Sequence, residues 1–380
     1  MAGYNFEPRR QWRPGSVRVS VVGLRGIPNV LGGVETHCEE LMPRIVVNNP
    51  DIAIQVIGRR PFISGDFDYH GVNVTSVYAP AGKHSEAIVA TFFSVLKARR
   101  NGADTLHIHA IGPAILTPLA RLMGMRVLVT HHGEDFQRAK WNIFAKAALR
   151  LGETLGVRFA NKVVAVSPSL QRKLQMRYPE AASKIAYIPN GVSQLAGKNQ
   201  DDQAVLQSLG LTKKDFFLVA ARLVPEKGID YLIDAHRLSG SDKTLVIAGA
   251  SMHGSDYSEK LRRAAGPGVL FTGQVPREKL ASLYRNAALF ILPSYHEGLP
   301  ISALEALSFG ASMLLSDIDA NIDLGLPDRH YFPVGDTKAL AGKLNPSDFS
   351  DLDTSNWDGA STFDWDAIAD ATARCYRELC

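Results

Sequence analysis

The stretch VRVSVVGLRGIPNVLGGVETHCEEL, Val17–Leu41, decides the fold class. Its first seven residues are mostly β-branched and end at Gly23, which predicts a buried strand. The following loop contains paired glycines and leads into a helix that we expect to start near Val34–Glu35. A buried strand followed by a loop and a helix is the repeating unit of a parallel sheet.

The same unit recurs along both halves of the chain. Each further predicted strand is a short apolar run, and helical patterns separate the runs. They are Ile52–Gly58, Thr105–Ala110, Arg126–His132 and Lys162–Ser167, then Phe216–Arg222, Thr244–Ala250, Val269–Gly273, Leu289–Ser294 and Ser312–Asp317. Two such sets predict an α/β protein with two doubly wound, Rossmann-like domains.

The length of 380 residues also favours two domains, because single cores rarely grow this large. We predict a flexible polar tail over residues 1–16, one domain over 17–195 and a second over 196–362. The polar segment SQLAGKNQDDQ, 193–203, is the predicted linker. Residues 363–380 contain an amphipathic helix, Asp364–Leu379, which we expect to pack back on the first domain.

The composition is that of an ordinary globular protein, with 46% hydrophobic and 21% charged residues. No stretch has the roughly 20 apolar residues of a spanning helix, and the N-terminus lacks the apolar core of a signal peptide. Three cysteines are widely spaced, and no Cys/His cluster has the spacing of a zinc site. These features predict a cytoplasmic protein without a bound metal or cofactor.

The net charge of +4 hides a contrast between the halves. Lys and Arg outnumber Asp and Glu by 24 to 13 over residues 1–195, whereas the remaining 185 residues have 18 against 25. The first half therefore carries +11 and the second −7, which suggests that the first half meets an anionic partner. A bilayer surface or a pyrophosphate-bearing substrate fits, as does plain scatter of surface charge. No nucleic-acid module is recognisable, so nucleic acid is not expected.

Ligands of doubly wound sheets bind at the carboxyl ends of strands, so residues that follow strands are the candidates. Gly32 and Gly33 precede a helix and allow backbone N–H groups to approach a phosphate or sugar, although a plain tight turn fits equally well. The loop is neither GxGxxG nor a Walker loop, which weakens dinucleotide and NTPase interpretations. His131 and His132 end a strand before Gly133 and are candidates for a ligand site.

The segment QRAKWNIFAKAALRL that follows these histidines places basic side chains among aromatic ones. Such a helix could lie on an anionic bilayer. An ordinary core-facing helix with a solvated edge is the alternative.

In the second half, ARLVPEKGIDYLIDA places Arg222 and Lys227 in a loop before a helix. Two cations beside a helix N-terminus can clamp a diphosphate, because charge-assisted hydrogen bonds add to the backbone donors.

The stretch HEGLPISALEAL places Glu297 and Glu305 eight residues apart. Pro300 suits the first position of a helix. Glu297 is therefore predicted in the preceding loop and Glu305 about a turn and a half inside the helix. This separation argues against the adjacent carboxylate pair of a hydrolase.

Taken together, several segments in this order resemble the retaining glycosyltransferases of family four, which have the GT-B architecture. They are GGVE (Gly32–Glu35), the histidines before Gly133, VSPS (Val166–Ser169), IPNGV (Ile188–Val192), RLVPEKG (Arg222–Gly228), HEGLPISALEAL and SDIDAN (Ser316–Asn321). HHGEDFQRAKW further resembles a bacterial subgroup that builds surface polysaccharides and includes rhamnosyltransferases. The resemblance covers roughly residues 17–340.

This resemblance implies two Rossmann-like domains facing across a cleft, with acceptor binding in the first and nucleotide-sugar binding in the second. It implies retention of anomeric configuration without a metal. The implied catalytic residues are His132 and Glu297. The implied donor-binding residues are Gly33, Arg222, Lys227, Gly298, Leu299, Pro300 and Glu305. The implied acceptor-side or secondary residues are Gly32, Glu35, His109, His131 and Asn190.

The predicted function is therefore sugar transfer from a nucleotide-sugar to a lipid-linked or saccharide acceptor in cell-surface polysaccharide biosynthesis. Peripheral contact with the inner face of the plasma membrane is expected through the basic first domain. The alternatives are a nucleotide-sugar epimerase of the same architecture and a non-catalytic nucleotide-sugar-binding protein. An NAD oxidoreductase is disfavoured, because GxGxxG with a trailing acidic residue is missing.

Overall fold

The chain divides into two units in a computed structural model that describes residues 12, 15–80, 86–138, 141–192, 201–251, 256–346 and 348–380. The N-terminal unit comprises Met1–Gly191 and Thr362–Cys380, and the C-terminal unit comprises Val192–Ser361. Each unit contains its own sheet with helices. The predicted pair of Rossmann-like α/β domains is confirmed.

The N-terminal sheet has the strand order β3-β4-β2-β1-β5-β6-β7-β8. Its strands are β1 Val17–Val22, β2 Ile52–Arg59, β3 Phe67–Tyr69, β4 Val72–Val77, β5 Thr105–His109, β6 Arg126–His131, β7 Lys162–Ala165 and β8 Ile185–Tyr187. Strand β1 is central and pairs in parallel with β2, Val17 opposite Ile52, and with β5, Val19 opposite Thr105. Only the edge pair β3–β4 is antiparallel among the described pairs.

The C-terminal sheet has the order β11-β10-β9-β12-β13-β14 and all its described pairs are parallel. Its strands are β9 Phe216–Ala220, β10 Thr244–Ala248, β11 Val269–Gly273, β12 Leu289–Leu292, β13 Met313–Ser316 and β14 Tyr331–Phe332. The chain winds outward from β9 to β11 and then returns to place β12 on the other side of β9. The crevice between β9 and β12 is therefore the topological switch point of this sheet.

The helices of the N-terminal unit are α1 Gly33–Asn48, α2 Glu86–Arg100, α3 Thr117–Leu122, α4 Ile143–Phe159 and α5 Pro168–Arg177. Those of the C-terminal unit are α6 Asp202–Ser208, α7 Ile229–Ser239, α8 Asp256–Ala264, α9 Arg277–Asn286, α10 Ile301–Ser308, α11 Asp319–Ile322 and α12 Thr337–Leu344. The last helix, α13 Trp365–Leu379, belongs to the N-terminal unit.

Helix α13 joins the N-terminal core through one apolar face. Its Ile368 and Tyr376 are buried in the same cluster as Met42 of α1 and Val21 of β1. Asp364 caps the helix by accepting a hydrogen bond from the Ala367 N–H at 2.9 Å. The amphipathic pattern predicted for this segment is thus a helix that shares the N-terminal core.

Several expectations need qualification. The predicted tail, 1–16, lies mostly outside the described residues, and so do residues 193–200 of the predicted linker. The rest of that linker is not irregular, because α6 begins at Asp202, which Arg285 of α9 binds. Four short strands, β3, β4, β8 and β14, were not predicted. In the described part of the chain no helix combines the length and apolarity needed to cross a membrane.

Candidate active-site residues in the two units

The loops after β9 and β12 carry the cationic and acidic residues of the C-terminal unit. Arg222 and Lys227 follow β9, and Glu297 follows β12. Because these strands are neighbours in the sheet, both loops emerge at the switch point, where doubly wound sheets bind ligands. The structure therefore brings together residues that are 70 positions apart in the sequence.

Lys227 and Glu297 form an ion pair. Lys227 Nζ donates to Glu297 Oε1 at 2.5 Å, and Ser294 Oγ donates to the same oxygen at 2.6 Å. The two charged side chains are only 17% and 10% exposed, so bulk water screens them little. Among the described residues no hydrogen bond reaches Glu297 Oε2, which leaves that oxygen available to a ligand.

Gly228 allows the two loops to approach. Its φ of 61° is left-handed, and a Cβ there would lie 2.2 Å from the Pro293 carbonyl oxygen at the end of β12. Two hydrogen bonds join the same segments. Tyr231 Oη of α7 donates to the Pro293 carbonyl oxygen at 2.5 Å, and the Tyr295 N–H donates to Glu226 O at 2.9 Å. These contacts fix Lys227 beside Glu297.

Helix α10 begins one residue later than predicted, with Pro300 at the N-cap position and Ile301 as the first helical residue. The placement of the two glutamates is confirmed: Glu297 lies in the loop and Glu305 inside the helix. Glu305 is 7% exposed, and its Oε2 accepts from Tyr284 Oη at 3.0 Å. Arg277 lies 3.7 Å from Oε1. Gly298 and Leu299 complete the loop before the helix.

The glycine loop of the N-terminal unit is held by an ion pair. Arg25 binds the carboxylate of Glu35 through Nε at 2.9 Å and Nη2 at 3.1 Å. Glu35 is 4% exposed and so is part of the framework of this loop. Gly32 caps α1 with a φ of 150°, where a Cβ would meet the Glu35 carboxylate. Gly33 differs, since a Cβ there would meet nothing within 4 Å.

His131, the last residue of β6, is tied within the protein through both ring nitrogens. Its Nε2 lies 2.9 Å from Glu153 Oε2, and its Nδ1 accepts from the Gly133 N–H at 3.2 Å. Glu153 also accepts from Arg177 Nη1 at 2.6 Å and from Tyr178 Oη at 3.0 Å. This buried network orients the loop that presents His132.

His132 lies in a group of three histidines, which we call the histidine trio: His37, His109 and His132. One ring nitrogen from each lies within 4.8 Å of the others. His109 Nδ1 is 2.9 Å from His132 Nε2, and His37 Nδ1 is 3.0 Å from Asn190 Oδ1. The trio joins the ends of β5 and β6 to helix α1.

The trio is uncharged at neutral pH. Burial lowers the pKa of His37 from its ordinary value to about 4, against a smaller opposing effect of its bond to Asn190. Burial, together with repulsion from neighbouring histidines, holds the pKa of His109 and of His132 well below the usual range. Each imidazole therefore keeps an unprotonated nitrogen that can accept a proton or bind a ligand.

Sequence reasoning did not single out His37. It lies within α1, in a segment predicted only as helix, 72 and 95 residues from its partners when positions are subtracted along the chain. The glycines of the loop predicted where this helix starts. They did not predict which of its side chains face the strand ends. The carboxyl-end rule did select His132, and the resemblance selected His109 and Asn190.

Helix α4 exposes apolar side chains next to basic ones. Ile143 is 77% exposed, Phe144 82% and Leu151 50%. Lys146 lies among them, and Arg150 is exposed over the Phe136 ring at 5.3 Å. The opposite face of the helix packs through Gly152, Glu153, Gly156 and Val157. One face of the helix thus packs within the N-terminal unit, and contact of the exposed face with a bilayer stays a prediction.

Each unit matches a family of known proteins. Residues 31–194 match Glycosyltransferase Family 4, and residues 201–344 match Glycosyl transferases group 1. With the two Rossmann-like units, these matches define a glycosyltransferase of the GT-B type.

Two individual relatives share about a quarter of their aligned residues with this chain. The uncharacterized glycosyltransferase MJ1607 of Methanocaldococcus jannaschii is 24% identical over 329 residues, which cover 81% of this chain and 82% of that protein. The putative teichuronic acid biosynthesis glycosyltransferase TuaC of Bacillus subtilis is 27% identical over 237 residues, 61% of this chain and 57% of that protein.

A solved structure shows the same fold. The chain resembles Anabaena HepE in complex with UDP-glucose, with a TM-score of 0.74 at 18% identity, over 95% of this chain and 99% of that one.

Proposed function

We propose that this glycosyltransferase moves a sugar from a nucleotide-sugar to a lipid-linked or saccharide acceptor in cell-surface polysaccharide biosynthesis, with retention of anomeric configuration. The observation that carries the proposal is the Lys227–Glu297 pair at the β9–β12 switch point. It puts a cation and a sugar-binding carboxylate at the position where this class of sheet binds nucleotides.

Lys227 and Arg222 hold the donor diphosphate. A lysine ammonium carries three donors, so Lys227 can keep its bond to Glu297 and still bind a phosphate oxygen. The N-terminus of α7 begins next to Lys227 and adds a favourable dipole. Support also comes from the structural neighbour that contains UDP-glucose.

The two glutamates bind the two sugars of the donor. Glu297 presents Oε2 to a hydroxyl of the transferred sugar while its Oε1 is fixed by Lys227 and Ser294. Glu305, held by Tyr284, accepts from the ribose hydroxyls. Gly298, Leu299 and Pro300 place the N-terminus of α10 beside this donor.

In the transfer step the bond between the anomeric carbon and the diphosphate oxygen breaks, and the electron pair leaves with the diphosphate. The acceptor oxygen bonds to the same face of that carbon, and its proton passes to the departing phosphate oxygen. Arg222 and Lys227 stabilise the developing charge electrostatically. Since cations of the protein perform this role, the step requires no metal.

The N-terminal unit binds the acceptor. His132 contacts the transferred sugar at the reacting centre, and Gly33 leaves open space above the start of α1. The positions of His132 and Gly33 are supported by neighbouring residues of the same unit, which are His131, His109, Gly32, Glu35 and Asn190. A polysaccharide role is supported by the similarity to the putative teichuronic acid enzyme.

The donor is identified by a thermal-shift screen against UDP-, GDP-, TDP- and ADP-sugars that includes TDP-rhamnose, followed by turnover in EDTA with candidate acceptors. We expect one donor to stabilise the protein and to yield an acceptor-linked product. Interconversion of the donor sugar without acceptor would instead indicate an epimerase. Binding without turnover, and Glu305→Gln cells with unchanged glycan, would indicate a non-catalytic protein.

We further propose that helix α4 rests on an anionic bilayer, where lipid-linked acceptors are found. Ile143 and Phe144 enter the interface and Lys146 meets the headgroups. In liposome flotation we expect recovery with anionic lipid and little with zwitterionic lipid, and we expect Phe144→Ser to reduce recovery. Equal recovery with both lipids would refute this contact. Met176→Ser, which changes another exposed apolar residue (76%), is the matched control.

A further inference from the structure

The histidine trio has the chemistry of an unoccupied ligand site inside the N-terminal unit. The Nε2 atoms of His37 and His109 are buried, and neither has a hydrogen-bond partner in the described part of the chain. Leaving a buried polar atom unpaired is unfavourable, because the atom loses its bonds to water and gains none in the protein. Two such atoms in one cluster suggest that something outside the chain satisfies them.

The hydrogen bonds of His37 fix which nitrogen is available. Asn190 Oδ1 can only accept, so His37 Nδ1 must carry the proton, and His37 Nε2 presents a lone pair. A ligating histidine is commonly oriented in this way by an oxygen that accepts from its other ring nitrogen. His109 Nδ1 lies 2.9 Å from His132 Nε2. With the shared proton on His109 Nδ1, His109 Nε2 also presents a lone pair, and His132 offers a nitrogen once this hydrogen bond opens.

We propose that His37, His109 and His132 form a binding site for a divalent transition-metal ion such as Zn²⁺. Three imidazoles with water in the fourth position are a known zinc ligand set, and nitrogen ligands disfavour Mg²⁺ and Ca²⁺. Zinc–nitrogen bonds of about 2.0–2.1 Å place tetrahedral ligand atoms about 3.4 Å apart. In the structure one ring nitrogen from each histidine lies within 4.8 Å of the others, so ligation requires these atoms to move closer by up to about 1.4 Å.

The surroundings support a metal of this kind. His132 is half-buried, which gives an ion access from solvent. The ring of Trp365 lies 5.5 Å from that of His37, so an aromatic side chain packs beside the histidine trio.

Metal binding would compete with transfer. This consequence rests on the proposed function, which places His132 at the transferred sugar. A bound ion holds the His132 ring and its lone pair, so Zn²⁺ should inhibit turnover, Mg²⁺ should not, and EDTA should restore it. Binding itself is tested without substrate, so the two ideas can fail separately.

The test is Co²⁺ titration of the tag-free chain, read by the visible absorption of tetrahedral cobalt, with Zn²⁺ competition by calorimetry. The background carries Cys380→Ser to remove the exposed thiol. We expect one ion per chain, loss of the absorption in His37→Gln and His109→Gln, and about 10–100-fold weaker binding in Asn190→Ala. The control variant is His70→Asn, because His70 is an exposed histidine at a left-handed position. It should bind Co²⁺ as the parent protein does.

Circular dichroism confirms that each variant is folded, and Asn190→Ala keeps all three ligands should the histidine variants not fold. No tetrahedral spectrum in the parent, or a spectrum that persists in His37→Gln and His109→Gln, would overturn the proposal.

Discussion

Replacing Lys227 by Met removes one charge and keeps the length and apolar stem of the side chain. In the structure Lys227 Nζ lies 2.5 Å from Glu297 Oε1, and both side chains are largely shielded from water. The variant therefore loses a charge-assisted bond to the diphosphate, worth about 1.5–3 kcal/mol. That range corresponds to a fall in donor affinity of about 12- to 140-fold.

Calorimetry of the nucleotide-sugar found in the screen measures this loss. Arg237→Met is the matched control, because Arg237 lies on α7 in the same unit, is 68% exposed and pairs only locally with Asp234 at 2.6 Å. Its removal should change affinity by less than about twofold, since exposed pairs contribute little.

A second ligand separates the two roles of Lys227. A nucleoside lacks the phosphates, so its affinity should change little, whereas the affinity of the nucleoside diphosphate should fall as much as that of the donor. Unchanged donor affinity in Lys227→Met would refute the clamp. A loss for the donor with unchanged affinity for both the nucleoside and the nucleoside diphosphate would show that Lys227 acts only by holding Glu297.

The remaining predictions concern backbone and titration. Gly228→Ala should lower the free energy of unfolding, measured in denaturant, more than Gly240→Ala does. Both positions are left-handed, at φ 61° and 65°, but only at Gly228 would the added Cβ meet a backbone oxygen, that of Pro293. Equal losses of unfolding free energy would contradict this. Gly33→Ala should keep its melting temperature yet lose activity, and an active variant would exclude a ligand there. His37, with a folded pKa of about 4 against 6.5 unfolded, binds its proton more weakly when folded, so its contribution should lower stability by about 1.6 kcal/mol from pH 6.5 to 5. That fall should shrink in His37→Gln, and an unchanged pH slope would contradict the assignment.

The fold was largely predictable because buried parallel strands are continuous apolar runs. All ten runs named from the sequence are strands in the structure. Two of the missed strands lack that signal: β3 has only partly buried residues, and β14 has two residues. The start of α6 could not be predicted from its polar N-terminal residues. Those residues make tertiary contacts: Asp202 binds Arg285 and Ser282 of α9.

The site was predictable where topology alone brings residues together. Strand ends in a parallel sheet share one edge, so the loops carrying Lys227 and Glu297 could be placed at the same edge of the sheet before their bond was seen. Contacts that depend on helix orientation could not be predicted. His37 reaches the trio only because α1 packs in one particular way, and Glu35 is bound by Arg25 within the same loop.

The most direct test of the proposed reaction is the anomeric configuration of the product, measured by proton NMR during turnover in EDTA. The account predicts that the new glycosidic bond has the configuration of the donor and that Lys227→Met slows its appearance. An inverted product, or turnover that occurs only after a divalent metal is restored, would contradict it.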